Sequence, residues 1–317
     1  MKTKGWEITI AWRDKFDVGA KPFNYGFRAT LADYQSEITK YNNPDKNLGD
    51  PNKSLTDQIY YVGEKVGEIW GFETAGYFTS AADIANSPKQ TLIKASGASQ
   101  LLPGDVKFKD LNGDGVIDYG NQTVNKPGDR KIIGNSTPRY TFGFGTDADW
   151  NSFFFSAFFQ GVGKRDWYPG PEADYFWGQY NRPYNKVPVS QLNKIWSESN
   201  PNAYFPRYRG YSAQNGSNEL SQPQTKYLQN AAYVRLKNIQ LGYHLPLSLI
   251  RKIKLGDAKV FVSGENLWTW SPLYKITKDI DPESINGSDR ILTDGTSGNG
   301  NNYPVLKSVT IGVSATF

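Results

Sequence analysis

Long segments in which apolar and polar residues alternate restrict the possible folds of this chain more than any other feature. In residues 5–14 the side chains of one face are Trp6, Ile8, Ile10 and Trp12. Those of the other face are Glu7, Thr9, Ala11 and Arg13. Successive side chains of a β-strand point to opposite faces, so this period of two predicts a strand. Similar patterns predict seven strands, near residues 4–15, 22–38, 137–148, 152–163, 230–244, 258–270 and 303–317.

Two environments produce such alternation. A soluble β-sandwich turns its apolar faces inward, whereas a transmembrane β-barrel turns them toward lipid and lines a wet lumen with polar residues. The predicted strands are long enough to cross a bilayer at a tilt, and their apolar faces are rich in Trp, Tyr and Phe near the strand ends. Turn-forming residues are abundant, with 31 Gly and 18 Pro, which favours an all-β fold.

The connections between the predicted strands alternate between short and long. The long ones lie near residues 42–136, 164–229 and 271–302. Outer-membrane barrels have short periplasmic turns and longer extracellular loops, so we predict that the long connections are extracellular. Seven strands are fewer than the smallest such barrel needs. We therefore predict that residues 1–317 are the C-terminal part of a larger antiparallel transmembrane barrel, with no signal peptide among them.

Several segments, taken together, resemble the SusC/RagA-type TonB-dependent outer-membrane transporters. They are KGWEITIAWRD, GDVKFKDLNGDGVIDYGN, IIGNSTPRYTFGF, SFFFSAFFQG, AAYVRLKNIQLGYHLP, SGENLWTWSPLY, DPES and the final aromatic residue. They occur in the family's order from about Trp6 to Phe317.

The resemblance implies a barrel of about 22 strands, of which this chain would supply roughly the last seven. The N-terminal plug domain and the TonB-contacting segment are not in the sequence and are expected as partners. The family imports oligosaccharides or peptides into the periplasm of Bacteroidota, with energy delivered by TonB and a SusD-like surface lipoprotein as cap. The resemblance thus implies a bacterial outer-membrane importer, with no enzymatic activity and no nucleic-acid partner. An aromatic end is typical of outer-membrane barrels, so Phe317 is expected to be recognised by the barrel assembly machinery.

Residues 109–121 are spaced like a calcium-binding loop. The candidate ligands are Asp110, Asn112, Asp114, the Val116 carbonyl and Asp118. An EF-hand also needs flanking helices and a bidentate Glu at the twelfth position, where this chain has Asn121. Two alternatives stay open. Either Ca²⁺ binds, with Asp105 or Asp129 completing its shell and the loop stiffened, or the turn is metal-free and held by Asx hydrogen bonds.

The connection near 164–229 is the best candidate for contact with cargo or with the lipoprotein. Its candidate residues are Trp167, Tyr175, Trp177, Tyr180, Arg182, Arg207, Tyr208 and Arg209. Aromatic rings stack on sugars or peptide side chains, and arginines bind carboxylates. The alternative is that these rings pack the connection against itself or against the cap. A short helix is predicted over residues 188–198, with Leu192, Ile195 and Trp196 on its buried side.

Charged residues outside this connection have simpler explanations. On the polar strand face, Glu7, Arg13, Arg28 and Asp147 either line the import path or form ion pairs on the wall. The carboxylates Asp279, Asp281 and Glu283 superficially suit a glycosidase, but a proline-containing turn explains them better. His244 is the single histidine and cysteine is absent, which argues against hydrolytic triads and zinc centres.

Two other classes of function compete with the importer. A secreted or surface adhesin would be a calcium-loaded β-sandwich that binds glycans through its aromatic loops. A glycoside hydrolase would carry a calcium module and depend on Asp281 or Glu283. Extraction that depends on detergent would favour the importer, and a soluble monomer would favour the adhesin.

Overall fold

The computed structural model describes residues 1–49, 60–90, 100–170, 173–180, 187–209, 218–285 and 303–316. Within these residues the strands β1 to β13 are Lys2–Val18, Lys21–Glu37, Glu68–Phe72, Thr74–Tyr77, Val106–Phe108, Arg130–Asn135, Arg139–Trp150, Phe153–Lys164, Asp166–Trp167, Gln229–Asn230, Tyr233–His244, Asp257–Trp270 and Ser308–Thr316. The short helices α1 to α3 are Ala81–Ala85, Asp174–Trp177 and Leu247–Ile250. Turns of 3-10 helix lie at Gly178–Tyr180, Val189–Gln191, Arg251–Ile253 and Pro272–Lys275. None of the helices described is long and apolar enough to span a membrane.

Seven of these strands form one antiparallel sheet in the order β1-β2-β7-β8-β11-β12-β13. The seven strands predicted from the alternation are these seven, displaced by only a few residues at their ends. Neighbouring strands in the sheet follow one another along the chain, so the sheet is a simple meander. Strands β1 and β13 are its two outermost strands. The prediction of an all-β, antiparallel fold is confirmed.

The connections at one end of the strands are short, and those at the other end are long. These two ends of the strands are called below the short edge and the long edge of the sheet. Residues 19–20 join β1 to β2, and residues 151–152 join β7 to β8. Asn151 and Ser152 have φ of 48° and 72°, the left-handed pair that a type I′ hairpin needs. Residues 245–256 join β11 to β12 and hold α3. This alternation of connection lengths, predicted from the sequence, is present in the structure.

One face of the sheet is apolar from edge to edge. The register places a single rung of it at Ile10, Ala29, Phe144, Phe159, Leu236 and Trp268. Nothing in the described residues covers this face: Ile10 is 56% exposed and Ile311 is 80% exposed. A β-sandwich would bury such a face under a second sheet. The adhesin alternative therefore loses its structural basis within the described part of the chain.

The opposite face is polar. One rung there is Arg13, Gly26, Asp147, Ser156, Gln240, Ser263 and Thr310. Arg13 and Asp147 form an ion pair at 3.6 Å across Gly26, where a Cβ would lie only 3.1 Å from both side chains. The predicted ion pair on the wall is therefore present for these two residues.

A bulge in β11 changes the phase of its alternation. Between Leu236 and Asn238 the register shifts against both neighbouring strands. Consequently, even-numbered residues such as Leu236 lie on the apolar face before the bulge along the chain, whereas odd-numbered residues such as Ile239 lie there after it. Arg235 thereby lies on the polar face, opposite Gln160 and Thr269.

The described residues of the three long connections pack together at one edge of the sheet into what we call the loop layer: residues 38–49, 60–90, 100–138, 165–170, 173–180, 187–209, 218–232, 271–285 and 303–307. It contains the two-stranded sheets β3–β6, β4–β5 and β9–β10. Its core draws on all three connections: Phe72, Val106, Phe108, Ile117, Tyr119, Trp167, Tyr168, Ala173, Phe176, Trp177, Tyr180, Phe205, Leu220, Tyr227, Ala231, Leu273, Ile280 and Ile285.

The prediction of a helix over residues 188–198 is wrong. The segment contains only the 3-10 turn Val189–Gln191. Asn193 then adopts a left-handed φ of 62°, which ends any helix. Trp196 donates its backbone N–H to the Phe205 carbonyl as part of an extended pairing. Of the predicted buried side, Trp196 is buried but Leu192 is 56% exposed.

Candidate functional site: the loop layer

Three of the candidate aromatic residues lie at the centre of the loop layer. Trp167, Trp177 and Tyr180 are fully buried. The ring of Trp177 contacts Phe176 edge to face at 4.8 Å, and its Nε1–H donates to the Pro169 carbonyl at 3.0 Å. The Tyr180 hydroxyl donates to the Pro206 carbonyl at 2.6 Å. These side chains pack the connections against one another, as the alternative interpretation of the aromatic residues predicts.

Two candidate tyrosines are exposed. Tyr175, in α2, is 55% exposed and Tyr208 is 37% exposed. The ring of Tyr208 rests edge to face on buried Tyr180 at 5.7 Å, so its position is fixed from beneath. Arg182 lies outside the described residues. Tyr175 and Tyr208 are therefore the described candidate rings that present a large area to a partner or to cargo.

The two candidate arginines that the structure describes, Arg207 and Arg209, make contacts within the layer. The guanidinium of Arg207 stacks on the Trp196 ring at 4.8 Å. Arg209 donates Nη1–H to the Asp105 carboxylate at 2.5 Å and to the Gln100 carbonyl at 3.0 Å. Asp105, considered above as an additional calcium ligand, is thus the partner of an arginine.

Glu219 joins this cluster and was not anticipated from the sequence. It is fully buried, and its Oε2 accepts a hydrogen bond from the Val106 N–H at 3.1 Å. Its Oε1 and the Asp105 Oδ1 have no hydrogen-bond partner among the described residues. Burial raises the pKa of both carboxyl groups, and the pKa of Glu219 is raised well above its ordinary range. A single acid in an irregular segment gives no local signal of such burial.

The side chains of the calcium-like loop turn back onto their own backbone. Asp110 accepts hydrogen bonds from the N–H groups of Gly113 at 2.6 Å and Gly115 at 2.8 Å. Those N–H groups, led by that of Gly115, hold the pKa of Asp110 below its ordinary value. The remaining Asx contacts are Asn112 with Asp114, Asp114 with Val116 and Asp118 with Gly120.

Asp129, which lies outside residues 109–121 in the sequence, stabilises this loop through hydrogen bonds. Its two oxygens accept from the N–H groups of Leu111 at 2.7 Å and Asp118 at 2.9 Å. Burial raises the pKa of Asp129. No group of three or more His, Cys, Asp or Glu side chains converges in the described residues as a metal centre requires. The hydrogen bonds are those of the metal-free alternative, while occupation by Ca²⁺ stays a prediction.

Two carboxylates of the third long connection, Asp281 and Glu283, bind one buried arginine, while Asp279 pairs with Thr277. Arg235, in β11, donates to Asp281 at 2.5 Å, to Glu283 at 2.6 Å and to the Thr269 hydroxyl at 2.8 Å. The second Asp281 oxygen accepts from the Val305 N–H at 3.0 Å. These carboxylates therefore attach the loop to the sheet and do not face each other across an open site, which removes the basis for a glycosidase.

The other predicted residues are away from the loop layer or undescribed. His244 lies at the edge with short connections, where its Nδ1 is 3.3 Å from Asp257. Trp268 and Trp270 are exposed on the apolar face near the end of β12, at 48% and 53%. Phe317 lies outside the described residues, so its role in barrel assembly stays a prediction.

An antiparallel meander with one uncovered apolar face and a folded loop layer at one end of its strands is typical of the wall of an outer-membrane barrel. No protein-family model matches the chain. Among curated proteins it is similar to TonB-dependent receptor P26 of Formosa agariphila, with 25% identity over all of this chain and 29% of that relative. TonB-dependent receptor P3 of the same organism is 28% identical, also over all of this chain and 29% of its own length.

Solved structures share the fold. The RagAB peptide transporter matches with a TM-score of 0.61 at 22% identity, over 99% of this chain and 29% of that chain. The RagAB peptide importer in its open-open state matches with a TM-score of 0.63 at 20% identity, over the same shares. The resemblance to TonB-dependent transporters of the SusC/RagA type is thereby confirmed in sequence and in fold. The chain spans less than a third of the length of these relatives.

Proposed function

We propose that this chain forms part of the wall and the extracellular loop layer of a TonB-dependent outer-membrane importer of oligosaccharides or peptides. The observation that carries the proposal is the two-faced sheet: its apolar face is uncovered, while the polar face bears charges such as Arg13 and Asp147. Lipid on one side and a wet lumen on the other satisfy both faces. The similarity to TonB-dependent receptors supports import as the activity, and no feature of the described residues supports catalysis.

The location of the protein is tested by fractionating the source cells. Peptide mapping of the outer membrane, extracted in detergent, should recover these residues together with a plug, further strands and a SusD-like lipoprotein. Recovery of the chain in the soluble fraction, with no such companions, would overturn the proposal. A TonB-inactivated strain tests the energy source, because uptake should then fall to the level of a strain that lacks the protein.

We further propose that Tyr175 and Tyr208 are contact residues for the cargo or the lipoprotein, while Trp167, Trp177 and Tyr180 hold the loops in place. The exposed rings offer rigid, amphipathic area, which is typical of recognition surfaces. Tyr208 is supported from below by Tyr180, so little ordering is needed when it binds.

The contact role is tested with alanine variants assayed for uptake of labelled oligopeptides and oligosaccharides in separate experiments. Loss of an anchoring ring should weaken the apparent affinity for the cargo or the cap by about tenfold, the effect of ~1.4 kcal/mol. The matched control is Tyr303→Ala, since Tyr303 is 79% exposed elsewhere in the loop layer. Equal effects at Tyr175, Tyr208 and Tyr303 would contradict the assignment. The cargo that responds identifies the substrate class.

The calcium-like loop has a structural role in this proposal. Its Asx turns and Asp129 hold residues 109–121 at the outer surface, and Ca²⁺ would add oxygen ligation to the same segment. Calorimetric titration of the detergent-extracted protein with Ca²⁺ tests this, with Asp114→Ala as the variant. A heat signal that the variant abolishes supports an occupied site. Identical traces without heat assign the loop to the metal-free alternative.

A further inference from the structure

One connection at the short edge of the sheet differs in kind from its neighbours. The connections at residues 19–20 and 151–152 are two-residue turns, whereas the β11–β12 join spans residues 245–256. It contains α3 followed by the 3-10 turn Arg251–Ile253. A hairpin between adjacent strands needs only two residues, so ten extra residues are not explained by the closing of the sheet.

Apolar side chains of this join point away from the protein. Ile250 is fully buried and attaches the join to the rest of the molecule, whereas Leu247 is 57% exposed and Leu249 is 51% exposed. The leucines belong to a segment that follows Tyr243, whose rung on the uncovered apolar face also holds Val260. The exposed leucines therefore come at the end of a face that the proposed function turns toward lipid.

The same join carries positive charge that has no counterion among the described residues. Residues 245–256 contain Arg251, Lys252 and Lys254 and no acidic residue. All three are exposed, and none has a carboxylate partner among the described residues. The nearest acid along the chain, Asp257, faces His244. Lys254 adopts a left-handed φ of 56°, which ends the 3-10 turn.

We propose that the β11–β12 join is an interfacial anchor that binds the anionic phospholipid headgroups of the bilayer leaflet at the short edge of the sheet. The leucines enter the boundary between headgroups and acyl chains, and the three cations pair with lipid phosphates. Exposed apolar residues next to uncompensated basic residues suit such an interface. The inference rests on the proposed function, because it requires the sheet to span a membrane.

The test uses the protein at its natural length, reconstituted in vesicles of phosphatidylcholine with or without phosphatidylglycerol. Residues 1–317 contain no cysteine, so a cysteine introduced at position 249 can carry an environment-sensitive fluorophore there. The labelled parent protein provides the background signal. Lipids brominated near the headgroup, on phosphatidylglycerol or on phosphatidylcholine, act as quenchers. We expect quenching at position 249, stronger from brominated phosphatidylglycerol than from brominated phosphatidylcholine.

A charge variant tests the lipid preference. The triple variant is Arg251→Gln, Lys252→Gln and Lys254→Asn, with Asn at 254 because it tolerates a left-handed φ. Each cation removed should lower the preference for phosphatidylglycerol by about fivefold at low salt. The matched control removes three exposed lysines of the loop layer: Lys40→Gln, Lys89→Gln and Lys126→Gln. The control should leave the preference unchanged.

A second label separates the inference from the proposed function. Ile10→Cys places the fluorophore on the apolar face in the middle of β1, where phosphatidylcholine brominated along its acyl chains is the quencher. If lipid quenches position 10 but not position 249, the sheet spans the membrane and the anchor is wrong. The anchor is also overturned if position 249 is quenched equally by both lipids in parent and triple variant, since the charges then play no part. If neither position is quenched, the proposed function itself fails.

Discussion

The sheet and the loop layer use the same aromatic residues in opposite ways. Trp12 in β1 is 52% exposed, whereas Trp177 in the loop layer is fully buried. The rings of the loop layer contact one another, as Phe205 and Tyr227 do in a stacked arrangement at 6.1 Å. Many rings of the sheet face outward, and in the proposed function lipid removes them from water. The loop layer thus has a hydrophobic core of its own, whereas the apolar face of the sheet is uncovered in the described residues.

The sharpest way to separate the two regions is to remove one tryptophan from each. Trp177→Ala should destabilise the loop layer by about 3–5 kcal/mol, because it deletes a large, fully buried ring. Trp12→Ala should leave the loop layer unchanged, since Trp12 lies on the apolar face of the sheet. Hydrogen exchange of loop-layer amides, followed by mass spectrometry in detergent, measures both. Equal protection in the two variants would contradict the separate core.

Arg235 joins the two regions and should have the next largest effect. Arg235→Met leaves the buried carboxylate of Asp281 without its cation, a change that costs about 3–5 kcal/mol at buried ion pairs. Protection should fall in residues 276–285 while the sheet retains its strands. The double variant Arg235→Met with Asp281→Leu should recover part of the loss, because no charge stays buried. A double variant as unstable as the single one would show that the charge pair is not the cause.

Within the loop layer, the calcium-like loop can be loosened without changing the candidate ligands inside residues 109–121. Asp129→Ala removes the acceptor of two backbone N–H groups and should destabilise residues 109–121 by about 1–3 kcal/mol. Limited proteolysis of this segment is the measurement. Asp174→Ala, an acid in α2 outside this loop, is the control. Cleavage at the parental rate in Asp129→Ala would mean that the Asx turns suffice alone.

The smallest expected effect concerns pH. Burial raises the pKa of Glu219, so the folded loop layer keeps a proton that the unfolded chain releases. The stability of the layer is then highest below the ordinary carboxyl pKa and decreases as pH rises toward the folded-state pKa. Glu219→Gln should raise the stability at neutral pH and flatten this slope. Exposed Glu198→Gln should do neither. Hydrogen exchange at a series of pH values gives both slopes, and parallel curves for all three proteins would contradict the assignment.

The two regions also differ in how far the sequence predicts them. The strands were predicted correctly because a continuous apolar face on a strand needs an unbroken period of two, visible within ten residues such as 5–14. The core of the loop layer combines residues as distant as Phe72, Trp177 and Ile280, and no period links them. The helix predicted at 188–198 failed because Asn193 adopts a left-handed conformation, and Glu219 was missed because nothing in its neighbourhood marks an acid for burial.

The bulge in β11 acts as a phase shift in the two-residue period of the strand. Before it along the chain the even-numbered residues lie on the apolar face, and after it the odd-numbered ones do. If β11 paired without the bulge at its present length, the odd-numbered Arg235 would lie with Ile239 on the apolar face, away from its two carboxylates. The attachment of the loop layer to the sheet through Arg235 therefore depends on the irregular pairing between Leu236 and Asn238.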